Sequence, residues 1–112
     1  MEQPQELPEV ITKGTKTYIQ LRNTDKVYLY QVTDNDPNNK HIYYEVFYRR
    51  IDKAKIFSSG SILPNRVLYP YNEAFGNWAW CISRGNDHLM ALRVATNKFN
   101  FIDKQTRIKQ SA

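Results

Sequence analysis

Hydrophobic and polar residues alternate along the first half of the chain with the two-residue period of β-strands. The candidate strands are residues 17–22, 26–33 and 41–51. In the first, Ile19 and Leu21 share one face, and the second is rich in β-branched and aromatic residues. Turn-forming residues separate these segments, above all the cluster of Asp, Asn and Pro at 34–39. The pattern predicts consecutive strands joined by short turns.

The longest candidate strand, 41–51, has two faces of different composition. One face is almost entirely apolar or amphipathic: Ile42, Tyr44, Val46 and Tyr48. The other face is mixed: His41, Tyr43, Glu45, Phe47 and Arg49. Antiparallel strands commonly have one packed face and one solvated face. We therefore expect the first face to contact the core and the second to be half exposed.

The second half of the chain adds shorter strands and one helix. Candidate strands lie at 55–57, at 66–69 and at 79–82. A stripe at helical spacing follows Asn86 or Asp87, either of which suits an N-cap. Its members are Leu89, Leu92, Thr96 and Phe99. We predict an α+β fold, an antiparallel sheet of four to five strands with one C-terminal helix packed on it.

The two ends of the chain differ in composition from this central pattern. Residues 1–11 contain two Pro and three Glu but no Lys or Arg, which predicts a disordered acidic lead-in. Residues 103–112 form a polar basic tail that should fray. The remainder, 12–102, is expected to be a single domain, because a chain of 112 residues can bury a core without disulfides or metal.

Net charge and cysteine content indicate the kind of partner and the cellular compartment. The net charge of +5 raises affinity for polyanions without specifying a sequence. Cys81 is the one cysteine, so no internal disulfide can form. The chain shows neither the basic and apolar regions of a signal peptide nor a run of about 18 apolar residues. We expect a cytoplasmic protein with no membrane partner.

The segment 69–80 concentrates aromatic residues and includes both tryptophans of the chain. Phe75, Gly76, Trp78 and Trp80 are predicted to be structural, because clustered aromatic side chains are usually buried. If 78–80 is a strand, both indoles share one face and Ala79 points the other way, where its small side chain would let the helix pack closely.

One turn matches the spacing of a calcium-binding loop. Asp34, Asp36, Asn38 and Glu45 occupy four ligand positions. The glycine position is Asn39, and both flanks are strand-like rather than helical. Because β-turns recruit the same residues, we predict no metal site, with calcium as the open alternative.

Few residues suit catalysis. Cys81 and His88 would have to lie within hydrogen-bond reach, with a third group orienting the base. A lone cysteine beside two tryptophans is more typical of a small buried apolar residue. Phosphate-binding, dinucleotide-binding and metalloprotease motifs are missing from the sequence. We predict a protein that is not an enzyme and has no cofactor.

The remaining functional signal is the combination of aromatic and basic residues. The candidate binding residues are Tyr43, Phe47, Arg49, Arg50, Lys53, Lys55 and Arg107. Tyr and Arg dominate protein-binding hot spots. Aromatic rings beside cations also suit single-stranded nucleic acid, although the motifs of RNA-binding sheets are missing. A third alternative is sequestration of a nucleotide-like ligand by aromatic residues with Arg49 or Arg50.

The letters YYEVF at 43–47, YP at 69–70 and NEAFGNWAW at 72–80 resemble a pattern in small uncharacterised proteins of bacteriophages and prophages. In those proteins a YEVF strand precedes a YP-x-x-x-A-F-G-x-W-A-W segment and a short helix ending in Phe, which is Phe99 here. The resemblance covers about residues 40–100. It implies a mobile-element origin, a bacterial cytoplasm and a host protein as partner, which would be inhibited or redirected. The partner's identity and the oligomeric state stay open.

Overall fold

The computed structural model describes residues 4–52 and 55–111, with the backbone alone at 55, 63 and 106–111. The strands are β1 (Val10–Lys13), β2 (Lys16–Asn23), β3 (Val27–Asp34), β4 (His41–Tyr48), β5 (Ile51–Asp52), β6 (Lys55–Ile56), β7 (Ile62–Leu63), β8 (Arg66–Val67) and β9 (Ala79–Ile82). A 3-10 turn lies at Asn72–Ala74, and helix α1 spans His88–Ser111.

Five strands form one antiparallel sheet in the order β1-β2-β3-β4-β9. β3 lies at its centre, and β1 and β9 form its edges. The register of β2 on β3 shifts between Gln20 and Arg22, as in a β-bulge. Helix α1 packs on the sheet against β3, β4 and β9. The predicted α+β fold is confirmed.

Both faces of β3 and β4 are buried over most of their length. The helix-side core consists of Val27, Leu29, Tyr44, Val46, Ile82, Ala91, Ala95, Phe99 and Ile102. The tyrosine-side core consists of Tyr28, Tyr30, Phe47, Val67, Ala74, Trp78 and Ala79. The face of β4 predicted to contact the core does so beneath α1. The expectation that its other face is half exposed is wrong, because segments from before β1 and from after β4 cover it.

One of the covering segments is N-terminal, residues 4–8. The Gln5 N–H donates to the Asn65 carbonyl at 2.9 Å, and the Gln5 carbonyl accepts from the Val67 N–H at 2.8 Å. Leu7 packs against the tyrosine-side core. Within the described residues, the segment predicted to be disordered therefore makes specific contacts, and β1 begins at Val10.

At the end of the aromatic segment, residues 78–80, the side chains do not lie on the predicted faces of the sheet. Trp78 and Ala79 both belong to the tyrosine-side core, with Phe75 packed beside them, whereas Trp80 packs against the helix-side core. The two indoles thus do not share a face, and Ala79 does not face the helix. The reason is a tight turn in which the Gly76 N–H donates to the Ala79 carbonyl and Gly76 has φ +93°. Strand alternation starts only after this turn.

Helix α1 begins with a side-chain cap. The Asp87 Oδ1 atom accepts from the Met90 N–H at 3.0 Å, so Asp87 rather than Asn86 is the N-cap. The buried stripe of the helix is Ala91, Ala95, Phe99 and Ile102, so of the predicted stripe only Phe99 is buried, and Leu89 is 69% exposed. The backbone stays helical to Ser111. Most of the predicted basic tail, 103–112, is therefore part of the helix in the described backbone.

Candidate functional site

A two-stranded arm, residues 51–67, lies between β4 and the aromatic segment. β5 pairs with β8 at its base, and β6 pairs with β7 towards its tip. The turn at the tip is closed by hydrogen bonds of 2.9 Å from the Phe57 N–H to the Ser61 carbonyl and from the Gly60 N–H to the Phe57 carbonyl. Among the described elements, β6 and β7 contact chiefly each other.

The tip of the arm exposes large apolar side chains. Ile56 and Ile62 are cross-strand partners and are 80% and 69% exposed, and Phe57 beside them is 50% exposed. We call these three residues the apolar tip. An isolated two-stranded hairpin is marginally stable in water. Ile56 and Ile62 share one face of this hairpin as cross-strand partners, and exposed apolar patches mark interaction sites. The apolar tip is therefore the strongest candidate for contact with a partner.

Cationic side chains surround the base of the arm. Arg49 donates two hydrogen bonds to Glu6, from Nη2 to Oε2 at 2.5 Å and from Nε to Oε1 at 3.2 Å. Bonding to Arg49 lowers the pKa of the Glu6 carboxyl. The guanidinium carbon of Arg50 lies 5.0 Å from the centre of the Trp78 ring, and Arg66 pairs with Asp52 at 3.5 Å. Arg49 thus holds the N-terminal segment, whereas the exposed Arg50 and Arg66 present charge beside the arm.

The described binding residues that were predicted from the sequence do not form one surface. Tyr43 and Phe47 are 8% and 0% exposed, and the Phe47 ring stacks on two tyrosines of β3. They therefore do not offer a binding surface. Arg49 and Arg50 come together at the base of the arm. Lys53 lies outside the described residues, as do the side chains of Lys55 and Arg107.

The apolar tip was missed by sequence reasoning. The connection 52–65 contains the run SSGS at 58–61, which is typical of a flexible loop. Ile56 and Ile62 flank this run nearly symmetrically, and β-branched residues on either side of a short glycine-containing turn are a hairpin signal. Because only two residues pair on each side, the strands are too short for alternation to be visible.

A buried carboxylate lies on the tyrosine-side face of the sheet. Glu45 is 8% exposed and accepts a hydrogen bond from the Tyr69 hydroxyl at 2.5 Å. Burial raises the pKa of Glu45, and the hydrogen bond from Tyr69 and then the charges of Lys16 and Lys13 partly offset this. Burial and the Glu45 charge together raise the pKa of Tyr69.

The geometry gives Cys81 no activating neighbour. Cys81 is exposed, so the expectation of a small buried apolar residue is wrong. It is the cross-strand partner of Glu45, and partial desolvation together with the Glu45 charge raises the pKa of its thiol. A thiol with a raised pKa is a poor nucleophile at neutral pH. His88 begins α1, which packs on the opposite face of the sheet from the Glu45 side chain.

The carboxylates of the calcium-like loop are used to shape a turn. Asp34 Oδ1 accepts from the Thr15 hydroxyl at 2.8 Å and from the Asp36 N–H at 3.1 Å, and Asp36 Oδ1 accepts from the Asn38 N–H at 2.9 Å. Glu45, the twelfth position, bonds to a tyrosine instead. Across the described part of the chain, no three His, Cys, Asp or Glu side chains are grouped to hold a metal ion.

A cavity of about 190 Å³ lies between the start of β4 and the start of α1. It is lined by Lys40, His41, Ile42, Gly85, Asn86 and His88. The His41 ring stacks on Tyr43 at 5.4 Å between centroids, on the face of β4 that points away from α1. Both histidines line this cavity, and the His41 Nδ1 atom lies 2.9 Å from the Asn39 carbonyl oxygen.

Comparisons with protein-family models, with curated proteins and with solved structures found no match for the chain. Within residues 4–52 and 55–111, no helix has the length and apolar character needed to cross a membrane.

Proposed function

We propose that the protein is a non-enzymatic binding module that inserts the apolar tip of its arm into a groove on a protein partner. The observation that carries the proposal is the exposure of Ile56, Phe57 and Ile62 on a hairpin that contacts little else in the chain. The resemblance to small phage and prophage proteins favours a host protein, which the module would inhibit or redirect.

The construction of the arm supports this function. Its base is hydrogen-bonded to the N-terminal segment through Gln5, and the Leu68 N–H donates to the Arg50 carbonyl at 2.9 Å. A firmly held base presents the tip at a defined place and limits the ordering cost of binding. Aromatic residues and Arg are enriched at the hot spots of protein interfaces, and the arm has Phe57 at its tip and Arg50 and Arg66 at its base.

The two alternative functions have weaker support. Stacking of bases needs exposed aromatic faces, but Tyr28, Tyr30 and Phe47 are buried and stack on one another. A pocket that sequesters a nucleotide would need free guanidinium groups. Arg49 is already paired with Glu6, and Arg50 lies over Trp78.

The test combines cross-linking and capture from a bacterial lysate treated with nuclease. A photoreactive phenylalanine analogue at position 57 should cross-link to one protein, and capture of that protein by the tagged chain should survive the nuclease. The double variant Ile56→Asp with Ile62→Asp should lose at least tenfold of the captured protein, because two charges enter the apolar contact.

The matched control is Leu89→Asp on α1, since Leu89 and Ile62 are both 69% exposed. The control should capture the partner as well as the unaltered chain does, and all variants should keep the same melting temperature. Equal loss in the control, or capture that disappears with nuclease, would reject the arm as a protein-binding element. The second result would favour nucleic acid.

A further inference from the structure

An ammonium group of the chain lies between two tyrosines beside the β1–β2 turn. The Lys13 Nζ atom is 5.6 Å from the centre of the Tyr69 ring and 6.0 Å from the centre of the Tyr18 ring. The rings meet edge to face, with centroids 5.4 Å apart and planes at 76°. Cations within about 6 Å of an aromatic ring centre are attracted by its negative face. We call this two-walled arrangement the Tyr18–Tyr69 cradle.

Negative charge lies next to the cradle. Glu45, the buried carboxylate, accepts from the hydroxyl of Tyr69, one of the two walls. Burial and the charge of Glu45 raise the pKa of Tyr18, and the charges of Lys16 and Lys13 act in turn on the Glu45 carboxyl. Among the described residues, the ion pairs within 4.0 Å do not include Glu45. A buried carboxylate is costly unless charge or hydrogen bonds compensate it, so a cation in the cradle is favoured.

The neighbouring lysine, Lys16, lies beside a different tyrosine, Tyr43. Lys13 and Lys16 are cross-strand partners, an arrangement in which like charges repel. The Lys16 Nζ atom lies 5.8 Å from the centre of the Tyr43 ring, and its hydrogen bond to Tyr43 raises the pKa of Lys16. Lys13 is exposed, so its side chain can leave the cradle without uncovering the core.

Lys13 fills the space that a ligand would use. The depression lined by Ile11, Lys13, Tyr18 and Tyr69 leaves no room for a water molecule. We propose that the Tyr18–Tyr69 cradle binds an alkylammonium group, from a small amine or from a lysine of another chain, and that Lys13 occupies it until the ligand displaces it. This site is separate from the arm and does not depend on the proposed function.

The test is an NMR titration that follows the ring resonances of Tyr18 and Tyr69. Two probes separate the possible sources of the ligand: tetramethylammonium for a small amine, and N-acetyl-lysine methylamide for a lysine side chain. Sodium chloride at equal ionic strength is the reference. Lys13→Ala should empty the cradle and bind at least one probe with at least tenfold higher affinity than the unaltered chain. Lys104→Ala, an exposed lysine on α1, should behave like the unaltered chain.

The carboxylate supplies the second half of the test. Adding Glu45→Gln to Lys13→Ala keeps a hydrogen-bond acceptor for Tyr69 but removes the charge, so probe affinity should fall at least fivefold. Amide spectra establish that each variant is folded. The proposal is wrong if Lys13→Ala shows no saturable ring shifts with either probe. It is also wrong if Lys13→Ala binds no better than the unaltered chain, or if Glu45→Gln leaves the affinity unchanged.

Discussion

At the scale of single residues, Glu45 shows how burial sets the cost of a charge. Its folded pKa is raised above the ordinary value of 4.5, chiefly by desolvation. The stability that protonated Glu45 contributes is therefore fully present below about pH 4.5 and is lost as the pH rises through the folded pKa.

We predict that Glu45→Gln removes this pH dependence and is more stable than the unaltered chain at neutral pH, by on the order of 1 kcal/mol. Glu45→Ala should instead lose about 1–3 kcal/mol, because the Tyr69 hydroxyl is left without its acceptor. Urea unfolding between pH 4 and pH 8 measures both effects. A Gln variant that is less stable than the unaltered chain at neutral pH would contradict this account of Glu45.

The two tryptophans differ as residues although their sequence contexts are alike. Trp78 is 8% exposed in the tyrosine-side core, whereas Trp80 is only partly buried and carries the Lys98 ammonium 4.0 Å from its ring centre. We predict that Trp78→Ala costs about 3–5 kcal/mol of unfolding free energy and that Trp80→Ala costs less. Chemical denaturation measures the loss of unfolding free energy in both variants. A larger loss in Trp80→Ala than in Trp78→Ala would contradict the assignment of Trp78 to the core.

Residue identity predicted burial better than it predicted the direction of side chains. The aromatic content of 69–80 suggested a core segment, and Trp78 is buried as such composition leads one to expect. The faces of Trp78, Ala79 and Trp80 could not be predicted, because they depend on where the turn through Gly76 ends and β9 starts. A backbone hydrogen bond sets that boundary, and the residue types in the segment do not predict it.

At the scale of elements, the N-terminal segment is held by a small number of polar contacts. Glu6 accepts from Arg49 and from the Tyr28 hydroxyl. Because bonding to Arg49 lowers the pKa of Glu6, the stability from this contact is present above about pH 4.5 and is lost as the pH falls through the folded pKa. This is the opposite direction from Glu45.

We predict that Glu6→Gln lowers stability at neutral pH by about 1 kcal/mol, a modest value because Glu6 is half exposed. Amide hydrogen exchange of Val67, which bonds to Gln5, should become about fivefold faster, since 1 kcal/mol corresponds to roughly that factor. Amides of β3 should be unaffected by local release of the segment. Unchanged exchange at Val67 would mean that Glu6 does not hold the segment.

The elements with strong periodicity were predictable and the covering segments were not. Alternation and helical spacing located β2, β3, β4 and α1, because each carries its own pattern. Residues 4–8 resemble a disordered lead-in by composition. Their order comes from contacts with Arg49 and with 65–67, which are distant in sequence. The tip of the arm escaped prediction for a related reason, since its strands are two residues long.

At the scale of the whole molecule, the part of the arm beyond Asp52 and Arg66 is separable from the two cores, whereas Val67 at its base belongs to the tyrosine-side core. Asp52 and Arg66 are directly opposed in the β5–β8 pair, so a two-residue Asn-Gly turn can join them in place of 53–65. We predict that this replacement lowers stability by no more than about 1 kcal/mol, the loss expected for the hydrogen bond to Asn65. Thermal unfolding measures this, and a collapse of the cooperative transition would show that the arm is part of the core.

The docking of the N-terminal segment also affects the order in which parts of the chain fold. Gln5 is hydrogen-bonded on both sides to residues next to or within β8, yet during synthesis it leaves the ribosome long before Arg66–Val67 exists. The hairpins of β2, β3 and β4 close between near neighbours, whereas closing the chain from Gln5 to Val67 carries a larger entropy cost. We expect refolding to show a fast phase for the strand hairpins and a slower one in which the N-terminal segment docks beside β8.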